Sequence, residues 1–295
     1  MIQIQKSFKD QANSDYGILY LVGTPIGNLE DMTYRAIRTL KEVQLIAAED
    51  TRQTRKLLTH FEIATRLVSY HEHNKQASGS ELIRLLIEGQ SIALVSDAGL
   101  PAVSDPGADL VKDAVEAGIK VVPIPGANAA LSALIISGLP TDRFMFTGFP
   151  PRDKKPLAEW LTRLSRQEGT LMMYESPHRL KKTLDAMLEH WGDRRIAMVR
   201  ELTKRHEEAA RGSISECVAF LEDNPPLGEY CLIIEGATSG AGDAGDNGES
   251  WWTTLELEEH VAHYENEGID RKEAIKKAAQ DRGLPKREVY NAVNR

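Results

Sequence analysis

The residues best placed to do chemistry in this 295-residue chain sit in loops that leave short apolar runs. Ser96-Asp97-Ala98-Gly99-Leu100-Pro101-Ala102-Val103-Ser104-Asp105-Pro106-Gly107 follows Ile92-Ala93-Leu94-Val95 and packs two aspartates and two glycines into twelve residues. Gly23-Thr24-Pro25-Ile26-Gly27-Asn28 follows residues 18–22, and Ile124-Pro125-Gly126-Ala127-Asn128 follows Val121-Val122-Pro123. At the strand ends of an open α/β sheet such loops line the crevice where nucleotide-like ligands lie, because glycine admits backbone where a Cβ would clash. Each loop alone is also explained as a tight strand-to-helix turn, the second by Asx turns with a helix cap at Ser104 or Asp105. Three in one half of the chain favour a site for a small nucleotide-derived molecule.

A dinucleotide site is excluded by spacing. Glu49 and Asp50 stand about where an acid would meet a ribose, but the first loop lacks the middle glycine a pyrophosphate needs, and no Walker lysine or serine follows. In the second half, Tyr174-Glu175-Ser176-Pro177-His178-Arg179 ends a strand and opens a helix with proline at its first position, presenting Ser176, His178 and Arg179 at the helix N-terminus. Arg200-Glu201-Leu202-Thr203-Lys204-Arg205-His206-Glu207-Glu208 leaves the next strand with mixed charge, a run that a solvated face would also explain.

Strand, helix and strand alternate from residue 18 to about 139, the pattern of a mostly parallel sheet covered by helices. Strands are expected at 18–22, 43–48, 67–70, 92–95 and 121–123. Helices are expected after a cap at Asp31 or Thr33, at 55–60 and at 81–88. The rhythm changes at 140–155, a basic, proline-containing stretch read as a linker or exposed loop. A smaller α/β or α+β unit follows, with strands at 170–174, 195–199 and 230–235 and helices at 177–190 and 213–221. The expected division is a flexible extension (1–17), an N-terminal α/β domain (18–140), a C-terminal α/β domain (141–237), a flexible linker (238–250) and a helix-turn-helix-like appendage (251–295).

A formal charge of −8 argues against a surface coated with a nucleic-acid-binding field. Two locally basic regions survive it: 152–211 holds 14 Lys and Arg against 10 Asp and Glu, and 270–295 holds 8 against 4. The two cysteines, Cys217 and Cys231, fit a reducing cytosol rather than a disulfide scaffold, and no Cys/His spacing suggests a metal. The polar first seventeen residues are not a signal peptide. The uncharged stretch 121–140 is interrupted by Pro123, Pro125, Gly126 and Gly138, which makes it a buried strand, turn and helix rather than a membrane span.

TPIGNLEDMT (24–33), AAEDTRQTRKLL (47–58), SYHEHN (69–74), LVSDAGLPAVSDPG (94–107), GLPTDRFMFTGFPPR (138–152), YESPHRL (174–180) and RELTKRHEE (200–208) together resemble the ribosomal RNA small subunit methyltransferase I family of the tetrapyrrole methylase superfamily. Leu100, Asn128 and Gln53 depart from the family pattern beside these motifs. The resemblance implies two α/β domains of tetrapyrrole-methylase type with a cofactor cleft between them and a small helical appendage. It implies methyl transfer from S-adenosylmethionine to the 2′-hydroxyl of a cytidine in the decoding region of 16S rRNA, within the 30S subunit. A cytoplasmic homodimer with no membrane contact is implied as well.

Matching the family's cofactor motifs onto this chain selects Pro25, Ile26, Asp97, Ala98, Gly99, Val103, Asn128, Ala129, Tyr174, Glu175 and Leu202. A ribose hydroxyl is a weak acid, so a base or an oxyanion-stabilising cation is needed. The candidates are Glu201 and Lys204, then Glu49 and Asp50, then His178, and the chemistry calls for no metal. Arg52, Arg55, Lys56, Arg179 and Arg211 are candidates for RNA phosphates, and Tyr70 or His71 for stacking on a displaced base. The alternatives are a precorrin- or uroporphyrinogen-type methyltransferase on the same fold, which the EDTR, YESPHR and RELTK segments disfavour, and a non-catalytic RNA-binding assembly protein. A nicotinamide-dependent oxidoreductase stands last on glycine spacing.

Overall fold

The computed structural model describes residue 5, residues 15–237, residue 252 and residues 255–266 and 268–293. Described residues up to Gly236 form one compact unit and those from Ala237 a second.

The first unit opens with β1 (Ile18–Val22), α1 (Tyr34–Glu42), β2 (Leu45–Ala48), α2 (Thr51–His60), β3 (Leu67–Ser69), α3 (Lys75–Ile87), β4 (Ile92–Val95), α4 (Gly107–Glu116) and β5 (Lys120–Ile124). The five strands pair in the order β3-β2-β4-β1-β5, all parallel, so the loops after β4, β1 and β5 emerge side by side at the carboxyl end of the sheet. Strands buried on both faces are near-continuous apolar runs, as parallel sheets require. Ala36, Leu40 and Leu58 cover one face, and Leu82, Leu86, Leu110 and Ala114 the other.

Then come α5 (Ala129–Ser137), β6 (Phe144–Phe146), α6 (Lys154–Leu164), β7 (Thr170–Glu175), α7 (Pro177–Trp191), β8 (Arg195–Arg200), β9 (Glu208–Ser213), α8 (Ile214–Asp223) and β10 (Tyr230–Ile234). Their sheet runs β6-β7-β10-β8-β9, mixed, with β6 parallel to β7 and the other pairs antiparallel. Leu157, Leu161, Leu180, Leu184 and Cys217 pack on one face. On the other lies α5, whose Ala130, Ala133 and Leu134 meet Met172, Ala197, Val199 and Ile233. That helix precedes the proposed boundary at 140 in sequence, yet its packing is with the second sheet.

Several elements differ from expectation for local reasons. α2 begins one turn earlier than 55 because Asp50 caps it, its carboxylate accepting from Arg52 N. α3 begins at Lys75 rather than 81; Ser78-Gly79-Ser80 hides it, and Gly79 is where the Tyr70 ring packs, 3.6 Å from the position a Cβ would take. Thr33, not Asp31, caps α1, and Asp105, not Ser104, accepts from Gly107 N at 2.7 Å. β6 falls in the stretch read as loop, and α6 and β9 lie mostly where no element was expected. Gln5, inside the expected flexible extension, hydrogen-bonds both backbone groups of Val121 at 2.8 and 2.9 Å. The expected linker at 238–250 lies outside the described residues.

The second unit contains α9 (Leu257–Asn266), α10 (Arg271–Asp281) and α11 (Lys286–Val293) around Val261, Ala274, Ile275, Ala278, Ala279 and Val289. Gly283, at φ +63°, makes the turn between α10 and α11. No helix among the described residues is long and apolar enough to cross a membrane.

Candidate active site

The three glycine loops are built on one another. Thr24 and Gly99 exchange backbone hydrogen bonds at 2.9 and 3.1 Å, tying the first loop to the second. Gly23 faces Gly126, where a Cβ on either would come within 2.9 Å of the other's backbone, tying the first loop to the third. A Cβ on Gly27 would meet Lys204 Cγ at 2.5 Å. At Gly23 and Gly126 the missing Cβ therefore admits protein backbone rather than ligand, whereas Gly99 and Gly27 line cavities. The ligand space is what the interlocked loops leave over.

That space is a cavity of about 260 Å³ between the two sheets. Ile26, Ala98, Gly99, Val103, Asn128, Ala129, Tyr174, Glu175 and Leu202 line it, so nine of the eleven cofactor candidates converge. Pro25 and Asp97 do not: they line a neighbouring cavity against α2. Neighbours in sequence part company there, Ile26 and Ala98 facing one cavity and Pro25, Gly27 and Asp97 the other. Phe149, Glu229, Tyr230 and Cys231 also line the first cavity and were not among the candidates, although Phe149 lies in the 138–152 motif. Phe149 is 59% exposed, and with Val103 it offers unpaid apolar surface to a ligand.

Four of the five non-glycine residues at positive φ among the described residues, Ala102, Ser104, Glu201 and Thr203, lie in the two loops that flank this cavity. Such backbone is unfavourable for residues with a Cβ and persists where the surroundings over-determine it, often at ligand sites. The Thr203 hydroxyl is buried beside Gly27 without a hydrogen-bond partner. Glu201 and Lys204 line the cavity and pair at 2.9 Å, with the lysine stem lying across Gly27.

The remaining candidates separate. Asp50 is bound by the Arg52 guanidinium and backbone, which hold its carboxyl at about 2, too weakly basic to take a ribose proton. Glu49 is pushed up by desolvation and by Asp97 and Asp105, opposed by His71. His178 is exposed on the first turn of α7 and lines neither cavity. Tyr70, expected to stack on a base, is 2% exposed with its hydroxyl donating to Pro106 O at 3.1 Å; it has no ring face to offer. His71 Nδ1 is buried without a hydrogen-bond partner. Arg179 donates to Pro150 O and Pro151 O and approaches Glu175 at 3.6 Å, so it serves the fold, and the exposed Arg211 donates to Ile136 O at 2.6 Å. Arg52, Arg55 and Lys56 share the outer side of α2.

The cavity's walls suit a donor that is part apolar and positively charged. Glu229 and the Glu201–Lys204 ion pair line the cavity between apolar surfaces, while the buried Glu175 carboxylate is taken up by Thr183, Ser176 N and Arg179. The sequence matches the model of Tetrapyrrole (Corrin/Porphyrin) Methylases over residues 18–218. The fold is that of solved uroporphyrin-III-C-methyltransferase from Thermus thermophilus (TM-score 0.54, 22% identity, 74% of this chain and 94% of that one) and of diphthine synthase (0.57, 13%, 74% and 90%). The family matched is one of S-adenosylmethionine-dependent methyltransferases.

Over 294 residues the chain is 56% identical to the ribosomal RNA small subunit methyltransferase I of Bacillus subtilis (strain 168), covering 100% of this chain and 99% of the relative. The protein of that name from Halalkalibacterium halodurans is 56% identical over 290 residues, covering 98% of each. The chain belongs to the tetrapyrrole methylase family and, within it, to the ribosomal RNA small subunit methyltransferase I group. Its methyl donor is S-adenosylmethionine, which supplies an electrophilic methyl on a sulfonium.

Proposed function

We propose that the protein methylates the 2′-hydroxyl of a cytidine in the decoding region of 16S rRNA within the 30S subunit. The observation that carries this is the Glu201–Lys204 pair, set on a strained loop at the rim of the donor cavity and beside the first loop. In the transfer an O–CH₃ bond forms as the S–CH₃ bond breaks, and the hydroxyl proton leaves. The protein's first task is to align the three reacting atoms in a site shielded from water. Lys204 stabilises the developing oxyanion and Glu201 holds it in place or accepts the proton. The names of relatives similar over the whole chain support an RNA substrate, as do the cations Arg52, Arg55 and Lys56 on α2.

Pro25 and Asp97 are not among the donor's contacts in this proposal, and the other nine matched residues are. A homodimer in the cytoplasm completes it; Leu131 and Ile135, one turn apart and exposed on α5, offer an apolar face for a second copy.

Lys204→Ala and Glu201→Ala are expected to lower turnover about 100-fold, well beyond any change in donor affinity read by calorimetry. Undiminished turnover in both removes the pair from the mechanism. Mass-spectrometric mapping of ribose methylation, in rRNA from cells with and without the gene, identifies the nucleotide. Unchanged maps would refute the reaction.

A further inference from the structure

The second cavity, about 400 Å³ between the first loop and α2, shares no lining residue with the first. It meets the donor cavity along the same two loops, since Ile26 and Ala98 line one while Pro25, Gly27 and Asp97 line the other. Lys204 marks the junction: it lines the donor cavity and lies against Gly27. A group held here lies next to the donor, where an acceptor must be.

Its polar groups form a complementary pair. Asp97 Oδ1 accepts the Asp50 backbone N–H at 2.9 Å, which anchors the carboxylate and leaves its other oxygen as an acceptor. Gln53 Oε1 accepts from Lys56 Nζ at 3.1 Å, which assigns the remaining amide nitrogen as a donor. Leu29, 41% exposed, and Pro25 add apolar surface. Lys56 also belongs to the cationic side of α2, where Arg52 and Arg55 can follow a phosphate backbone.

We propose that this cavity receives a single flipped-out cytosine nucleotide, with Asp97 accepting from its amino group and Gln53 donating to its ring nitrogen or carbonyl. Cytosine presents an N4 amino donor where uracil presents an O4 acceptor, so a carboxylate at this point attracts one and repels the other. Taking the nucleotide out of its stack exposes that edge and brings the ribose beside the donor. Asp97 thus moves from cofactor contact to specificity determinant. The inference rests on the ribose-methylation proposal and goes beyond it by naming the groups that read the base.

The test uses the full-length protein, labelled donor and 30S subunits from cells lacking the gene, carrying either cytidine or uridine at the mapped position. Wild type should prefer cytidine by about 100-fold. Asp97→Asn keeps an oxygen for the Asp50 N–H, so its melting temperature and donor affinity should stay at the wild-type values. Its rate on cytidine should fall about tenfold or more, and its preference over uridine to below about tenfold. Gln53→Leu should lower the cytidine rate without changing donor affinity. Full preference retained in Asp97→Asn, or lost donor affinity in that variant, overturns the assignment, as does equal methylation of both RNAs by wild type. No ribose methyl on either RNA refutes the underlying reaction instead, and this inference with it.

Discussion

Gly23 sets how closely the first and third loops can pack. A Cβ there would stand 2.8 Å from the Gly126 backbone, which cannot rotate away as a side chain would. Gly23→Ala is therefore expected to destabilise the protein by about 1–3 kcal/mol and to weaken donor binding, read by thermal melting and calorimetry. A variant with wild-type values on both would show that the loops can separate freely. Asp50 has a different signature. Its carboxyl, lowered to about 2 by Arg52, caps α2 in the charged form. With a folded value below the unfolded value of about 4, its contribution to stability is present above pH 4 and fades as the pH falls toward 2. NMR titration of the Asp50 carboxyl should give a midpoint near 2, and a midpoint in the ordinary range would break the cap assignment.

Among the elements, the entry into α7 is held by a buried cluster. Glu175 accepts from the Thr183 hydroxyl at 2.6 Å and from Ser176 N at 2.8 Å, and Arg179 spans from Glu175 to the carbonyls of Pro150 and Pro151. Phe149 enters the cavity wall from that proline loop. Arg179→Ala should cost about 2 kcal/mol of stability and loosen donor binding through the released loop. Unaltered donor affinity would mean that the loop holds itself. YESPHR was legible as a strand end feeding a helix, because Pro177 at the first helical position is a local signal. That Arg179 points back into the fold instead of out to RNA was not, since its acceptors are carbonyls 28 and 29 residues upstream. β9 was missed for a related reason. Glu208–Ser213 carries no alternating apolar pattern, and its strand state follows from pairing with β8, reinforced by Arg200 bridging Glu208 at 2.9 Å.

At the scale of the molecule, two units carry separate cores, so removal of residues after 236 should leave a folded protein that still binds the donor. Its affinity for 30S subunits should fall, with a shallower dependence on salt, if the basic helices α10 and α11 meet phosphates. Undiminished affinity would dismiss the appendage from RNA binding. Cys217 and Cys231 report on the larger unit. Burial pushes their thiols up to about 11 and about 12, so alkylation at pH 8 should proceed only as fast as the protein unfolds. Rapid labelling of native protein would contradict the packing. Parallel strands, their loops and the motif set were readable from the chain alone, because apolar runs, glycines and caps act over a few residues. Which side of a loop each residue faces was not. Ile26 and Pro25, or Ala98 and Asp97, are adjacent in sequence, yet the seam between Gly23 and Gly126 and the reach of Lys204 over Gly27 send them into different cavities. That division arises only when segments up to two hundred residues apart are pressed into contact, which no local pattern encodes.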